Sequence, residues 1–284
     1  MPDVLRGGQT AQVCSAGVGR VATPPANAHH EITAMPDRRH HRGAHPEDTR
    51  LFCPQAVAAL RAAVADLSWL LGRNYATPSA VKLVGDRYNL TERQRVAVMR
   101  AACSDRAAAA RLARHVPTER LAGRRLLIDG YNLLTTVEAA LSGGVILACR
   151  DSCYRDMASV HGTWRKVDET PAALALIGEA LAEAGADGCV WLLDSPVSNS
   201  GRLKSLIEQL AAARRWNWRV ELALNPDAVL KTGAEIAVTA DSAILDECGQ
   251  WTDLARHVVG TRVAGAWVID LTCPAGDEPE ASAT

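Results

Sequence analysis

The hydrophobic positions of this chain fall into three regimes. Residues 1–47 mix Gly, Pro, Ala and His with no period, and the first 50 residues are expected to form a disordered tail. From Pro54 the apolar residues Val57, Leu60, Val64, Leu67, Leu70 and Leu71 recur every three or four positions, which predicts a helix that Gly72 ends. A second helix is predicted from Pro78 through Val81 and Leu83 to a turn at Gly85-Asp86-Arg87-Tyr88. Thr91 followed by Gln94 is a capping-box signature for a third helix through Val96, Val98 and Met99. Residues 51–122 therefore read as an all-helical module.

Beyond Arg124-Arg125 the period changes. Short apolar runs of the kind found in strands buried on both faces occur at Leu126–Ile128, Val145–Leu147, Val190–Leu193, Val220–Leu222, Ile236–Val238 and Trp267–Ile269. Helical patterns lie between most of them. Thr170-Pro171 opens one helix through Leu174, Ile177 and Leu181, and Ser200-Gly201 opens another through Leu203, Leu206, Ile207 and Leu210. Alternation of strand and helix predicts an α/β fold with a Rossmann-like, mostly parallel, doubly wound sheet over residues 123–273, followed by an acidic tail at 274–284.

Composition adds two constraints. With 284 residues, 48% of them hydrophobic, the chain can build two modest cores, and it has neither an apolar run of membrane-spanning length nor the layout of a secretory signal. A cytoplasmic protein without membrane contact is expected. The eight cysteines are scattered with no CxxC pair, which favours buried or idle thiols over a zinc site. Charge divides the chain more sharply than its net −1 suggests. Residues 51–125 carry 13 Lys/Arg against 5 Asp/Glu, whereas residues 126–284 carry 12 against 22. A basic module joined to an acidic domain points to a polyanion for the first and cations for the second.

The acidic domain places aspartates at or just after its strands: Asp129, Asp151, Asp194 and Asp241. In an open parallel sheet, ligands bind outside the carboxyl ends of the strands, so these residues are expected to converge on one edge. Carboxylates so close call for a cation, and an all-oxygen donor set suits Mg²⁺ or Mn²⁺, which can polarise a phosphodiester and lower the pKa of an attacking water. Asp246, about one and a half turns after Asp241, is a further candidate ligand. Each aspartate also has a plainer reading, as a turn former or helix cap. Asn132 is expected to orient a substrate phosphate or a water. Ser198, Ser200 and Gly201, with Lys204 one turn inside the helix, form a candidate phosphate cradle. Arg155 and His161, in a polar stretch after the second strand, either contact the leaving phosphate or belong to a solvated loop, and Arg93 and Arg95 are placed on the face of the basic module that grips nucleic acid.

The segment LLIDGYNLL at 126–134 resembles the NYN branch of the PIN-like nucleases, whose first strand ends in Asp-Gly-x-Asn, and Asp194 and Asp241 match later acidic positions. Residues 51–260 further resemble a prokaryotic family catalogued as domain of unknown function 434, through LVGDRYNLTERQR, IDGYNLL, RDMASVHG and LDSPVSNSG in order. The resemblance implies a three-layer PIN/NYN-like domain and a metal-dependent ribonuclease or related phosphodiesterase acting on RNA, with no organic cofactor. It leaves the oligomeric state open. Arg150-Asp151-Ser152 departs from the expected acidic pattern and weakens the case for a second metal. A haloacid-dehalogenase-type phosphatase would need an Asp two residues after Asp129, where Tyr131 stands, and a phospho-receiver domain would need a lysine where Asp241 stands. The remaining rival is a non-catalytic RNA-binding protein with the same fold.

Overall fold

The computed structural model of the chain describes residues 41–158 and 164–272. Its first elements are helices α1 (Asp48–Leu51), α2 (Pro54–Gly72), α3 (Thr77–Arg87), α4 (Glu92–Ala101) and α5 (Asp105–Leu112). Pro54 begins α2 at the position where a missing N–H costs nothing, and Leu60, Val64, Leu67 and Leu70 form its buried face as the spacing predicts. The capping box is present: Gln94 N–H donates to the Thr91 hydroxyl, and the Gln94 side chain accepts from Thr91 N–H at 3.1 Å. The expected turn at Gly85 is instead the last turn of α3. Gly85 is glycine because the Arg95 guanidinium lies against it, 2.2 Å from where a Cβ would stand. Leu83 and Met99, counted toward the apolar faces, are exposed.

Residues 41–50, expected to belong to a disordered tail, are instead tied into the fold. Arg42 is ion-paired with the fully buried carboxylate of Glu138, and Asp48, also fully buried, with Arg93. The part of that call at residues 1–40, and the acidic tail after 273, lie outside the described residues.

Next come β1 (Arg125–Asp129), α6 (Gly130–Leu141), β2 (Ile146–Ala148), β3 (Tyr154–Asp156), α7 (Thr170–Glu183), β4 (Gly188–Asp194), α8 (Ser200–Arg214), β5 (Trp218–Ala223), α9 (Pro226–Thr232), β6 (Ile236–Val238), α10 (Ser242–Leu245), β7 (Trp251–Thr252), α11 (Leu254–Arg262) and β8 (Val268–Asp270). The main sheet has the order β5-β4-β1-β6-β7, all parallel. Its strands are apolar on both faces because helices cover both. Leu126, Ile128, Trp191 and Leu193 share a core with α6, α7, α8 and α11, while Leu127 and Leu192, one residue out of phase, pack with Leu230 of α9 and Ile244 and Leu245 of α10. The fold is α/β with an N-terminal helical region and a mostly parallel sheet between two helical layers.

The single doubly wound sheet of the sequence reading divides into two. Strands β2 and β8, read as members of the main sheet, pair with each other and with β3 in a separate sheet of order β3-β2-β8. The physical reason is the helical module. Val145, Leu147, Cys149, Ile269 and Leu271 bury their side chains in one cluster with Leu60, Val64, Leu67, Val84 and Val98 of α2, α3 and α4.

Candidate functional site

β4, β1 and β6 are adjacent and parallel, so their carboxyl ends open on one edge, and each delivers an aspartate: Asp194, Asp129 and Asp241. The residues after β1 stitch these ends together. Gly130 passes so close to β4 that a Cβ would lie 2.5 Å from Leu193 Cδ2 and 2.9 Å from the Leu192 carbonyl oxygen, so no larger residue fits. The Tyr131 hydroxyl meets the Ser200 hydroxyl at 2.6 Å in the buried interior, and Ser200 donates to the Asp194 carbonyl at 2.5 Å or to that of Val197 at 2.6 Å. Asn132 Oδ1 accepts from Ala240 N–H at 2.9 Å at the end of β6. The Asp-Gly-Tyr-Asn segment is therefore a clasp across three strand ends, and each of its last three residues has a distinct packing or bonding reason.

Asp129 is held from both sides. It accepts from Asn132 N–H at 3.3 Å, capping α6, and from the Thr239 hydroxyl at 2.8 Å. Its carboxyl stands at about 7: burial pushes it up most, the two hydrogen bonds pull it down, and the nearby charges of Asp241 and Asp227 push it up again. Asp194 is raised by burial and by Asp227. Asp227, in the first turn of α9, is thus a fourth carboxylate of this edge. Sequence reading passed over it, although Asn225-Pro226-Asp227 after a strand is a helix start at the same end of the sheet, with Asn225 as its cap. Among the described residues the Asp194 and Asp227 carboxylates accept no hydrogen bond, whereas Asp241 caps α10 through Ala243 N–H and Ile244 N–H at 2.8 and 3.3 Å.

Two of the expected metal ligands are elsewhere. Asp151 is clamped in the interior between Arg111 at 2.5 Å and Arg155 at 2.6 Å, which hold its carboxyl down at about 2 against the opposing effect of burial. Asp246 turns to Arg111 at 2.7 Å. Arg155, expected beside a phosphate, is buried behind the site. It donates to the Ala240 carbonyl at 2.7 Å, so the backbone of Ala240 is held at its carbonyl by Arg155 and at its N–H by Asn132. His161 lies outside the described residues.

The expected phosphate cradle is only partly available. The Ser200 hydroxyl is consumed by the clasp, Asn199 adopts a left-handed conformation at φ 71° with its amide on the Trp164 carbonyl, and Lys204 pairs with Glu208 at 3.6 Å. Ser198 and Gly201 remain exposed, with open space around Gly201.

The basic module has largely spent its charge internally. Arg93 is paired with Asp48; Arg95 with Asp86 at 2.8 Å and with the Leu90 and Lys82 carbonyls; Arg100 and Arg111 with Asp156 and Asp151; and Arg114 bonds the Leu245 and Cys248 carbonyls. Arg100 and Arg111 reach across to carboxylates of the acidic domain, whereas the partners of Arg93 and Arg95 lie in the N-terminal segment and in the module itself.

As to metal, the donor set is all oxygen, the chemistry that Mg²⁺ and Mn²⁺ prefer. Among the described residues, however, no group of three or more His, Cys, Asp or Glu side chains is arranged to hold a metal ion by themselves. The set fits a hydrated Mg²⁺-like ion that keeps several waters and takes one or two carboxylates plus substrate oxygens, and does not fit a preformed cage.

Two family models match parts of the chain. Residues 59–114 match the family described as "Protein of unknown function (DUF434)", and residues 118–257 match "Domain of unknown function (DUF5616)". An uncharacterized protein of Methanocaldococcus jannaschii is 29% identical over 180 residues, covering 63% of this chain and 86% of that protein. Together these similarities support an uncharacterised family. No solved structure matches the chain.

Proposed function

We propose that the protein is a divalent-metal-dependent ribonuclease or related phosphodiesterase acting on RNA, with a PIN/NYN-like site at the carboxyl edge of β4, β1 and β6. The observation that carries this reading is the meeting of Asp129, Asp194, Asp227 and Asp241 at one edge, with Asp129 and Asp194 both pushed up by burial and by neighbouring negative charge. Neighbouring carboxylates repel one another, and a cation at this ligand-binding edge would relieve that repulsion.

One or two of Asp129, Asp194, Asp227 and Asp241 would hold a hydrated ion, which would supply charge neutralisation, polarisation of the scissile phosphodiester and a lowered pKa for an attacking water. The rest falls to the chain's own groups. The Thr239 hydroxyl and Asn132 N–H fix the Asp129 carboxylate and lower its proton affinity. Asn132 also pins the β6 end that presents Asp241. Ser198, Gly201 and Lys204 border the edge at the start of α8, where N–H groups and the helix dipole favour a phosphate.

The test is incubation of the full chain with end-labelled single-stranded RNA and Mn²⁺ or Mg²⁺, with and without chelator, beside Asp129→Asn. Cleavage that needs the ion and disappears in the variant is expected. RNA retention indifferent to chelator with no product at any ion concentration would replace the nuclease by a non-catalytic RNA-binding protein.

A further inference from the structure

Strand β5 is the outer edge of the five-stranded sheet and, among the described residues, pairs with β4 alone. Cys189 N–H donates to the Asn217 carbonyl and Ser195 N–H to the Ala223 carbonyl, so the odd-numbered residues of β5 face β4. The alternation of a parallel ladder then turns the backbone groups of Val220 and Leu222 outward. An unpaired row of this kind is a template for another strand. Only the Trp218 amide is diverted, to the Trp216 carbonyl.

The order of side chains decides which strand fits. Trp218-Arg219-Val220-Glu221-Leu222 reads as its own complement about Val220. An antiparallel copy related by a two-fold axis at Val220 sets Arg219 opposite Glu221 of the second copy, and Glu221 opposite its Arg219. These fall at the non-hydrogen-bonded positions, where cross-strand side chains come closest. The same register places Trp218 opposite Leu222 and, one step beyond the strand, Leu224 opposite Trp216. Leu224 is 84% exposed and Leu222 44% in the single chain, a high exposure for two leucines on one edge. Arg219 and Glu221 are solvent-facing and meanwhile neutralise each other at 3.0 Å.

We propose that the chain forms a two-fold homodimer by antiparallel pairing of β5 with β5, joining the two main sheets into one continuous sheet. The interface is isologous, as a two-fold axis demands, and the charge pattern admits a second copy in this register because the axis maps each charge onto its opposite. It is independent of the strand-end aspartates.

The experiment is sedimentation velocity of the full chain over a concentration series, with Arg219→Glu, Glu221→Arg and the double swap. Wild-type protein should sediment as a concentration-dependent dimer. Either single reversal sets two like-charge pairs across the axis and should raise the dimer dissociation constant about tenfold, while the swap restores it. Circular dichroism confirms that each variant is folded; these positions are exposed, so folding should be unchanged. A wild type that stays monomeric throughout, a dimer indifferent to both single reversals, or a folded double swap that fails to recover would each overturn the proposal. In the first case the paired charges would be only the guard that edge strands carry against association.

Discussion

The Thr239 hydroxyl donates to the Asp129 carboxylate at 2.8 Å and its oxygen accepts from Asp241 N–H at 3.1 Å, so one threonine couples the ends of β1 and β6. That hydrogen bond lowers the Asp129 pKa from where burial alone would put it. Thr239→Val removes it at nearly constant volume. Asp129 should then titrate above its present value of about 7, and the acid limb of a cleavage pH profile should move to higher pH. A limb that stays in place or moves down would show that Asp129 does not set it.

Asp129→Asn gives a stability signature separate from activity. A carboxyl raised from its ordinary value to about 7 in the fold contributes stability that is fully present below about pH 4 and lost as pH rises through 7. The variant escapes that loss. Its melting temperature should exceed that of the wild type at about pH 8 and converge with it near pH 4. Added Mn²⁺ should raise the wild-type value and leave the variant's nearly unchanged.

Asp151 has the opposite sign. Its carboxyl, held down at about 2 between Arg111 and Arg155, contributes stability above about pH 4 that is lost as pH falls toward 2. Asp151→Asn leaves two buried guanidinium groups without their shared partner, and should cost about 3–5 kcal/mol in denaturant unfolding. A cost under about 1 kcal/mol, the size of a surface pair, would contradict the buried clamp.

Gly130→Ala introduces a methyl against the Leu192 carbonyl and Leu193 Cδ2. The leucine tip can move, but the backbone oxygen of a central strand cannot easily do so, and a loss of about 1–3 kcal/mol is expected by chemical denaturation.

Arg93→Ala separates the two accounts of the basic module. Because Arg93 neutralises the buried Asp48, its loss should lower stability by about 3 kcal/mol. The log–log salt slope of any RNA binding should stay constant. A slope smaller by roughly one unit with stability intact would return Arg93 to the nucleic-acid face.

Periodicity was enough to locate α2, α7 and α8 and the strands β1, β4, β5 and β6, because each is a local rule: one apolar stripe every 3.6 residues, or a short run buried on both faces. The strand-end aspartates were legible for the same reason, since a parallel sheet sends every strand's carboxyl end to the same edge. What the pattern does not contain is partnership. The apolar runs at β2 and β8 look like those of the main sheet, and only packing against α2, α3 and α4 sets them in a second sheet and carries Asp151 away from the edge. Arg155 reads as a polar loop residue until β3 forms around it and Asp151 neutralises it. The same holds for Arg93, Arg100 and Arg111 of the helical module, whose charge is plain in the composition while their acidic partners lie tens of residues away. A residue's type and local period are written in its neighbours along the chain; whether a charge faces water, a substrate or a buried counter-charge depends on residues distant in sequence, and folding alone brings those together.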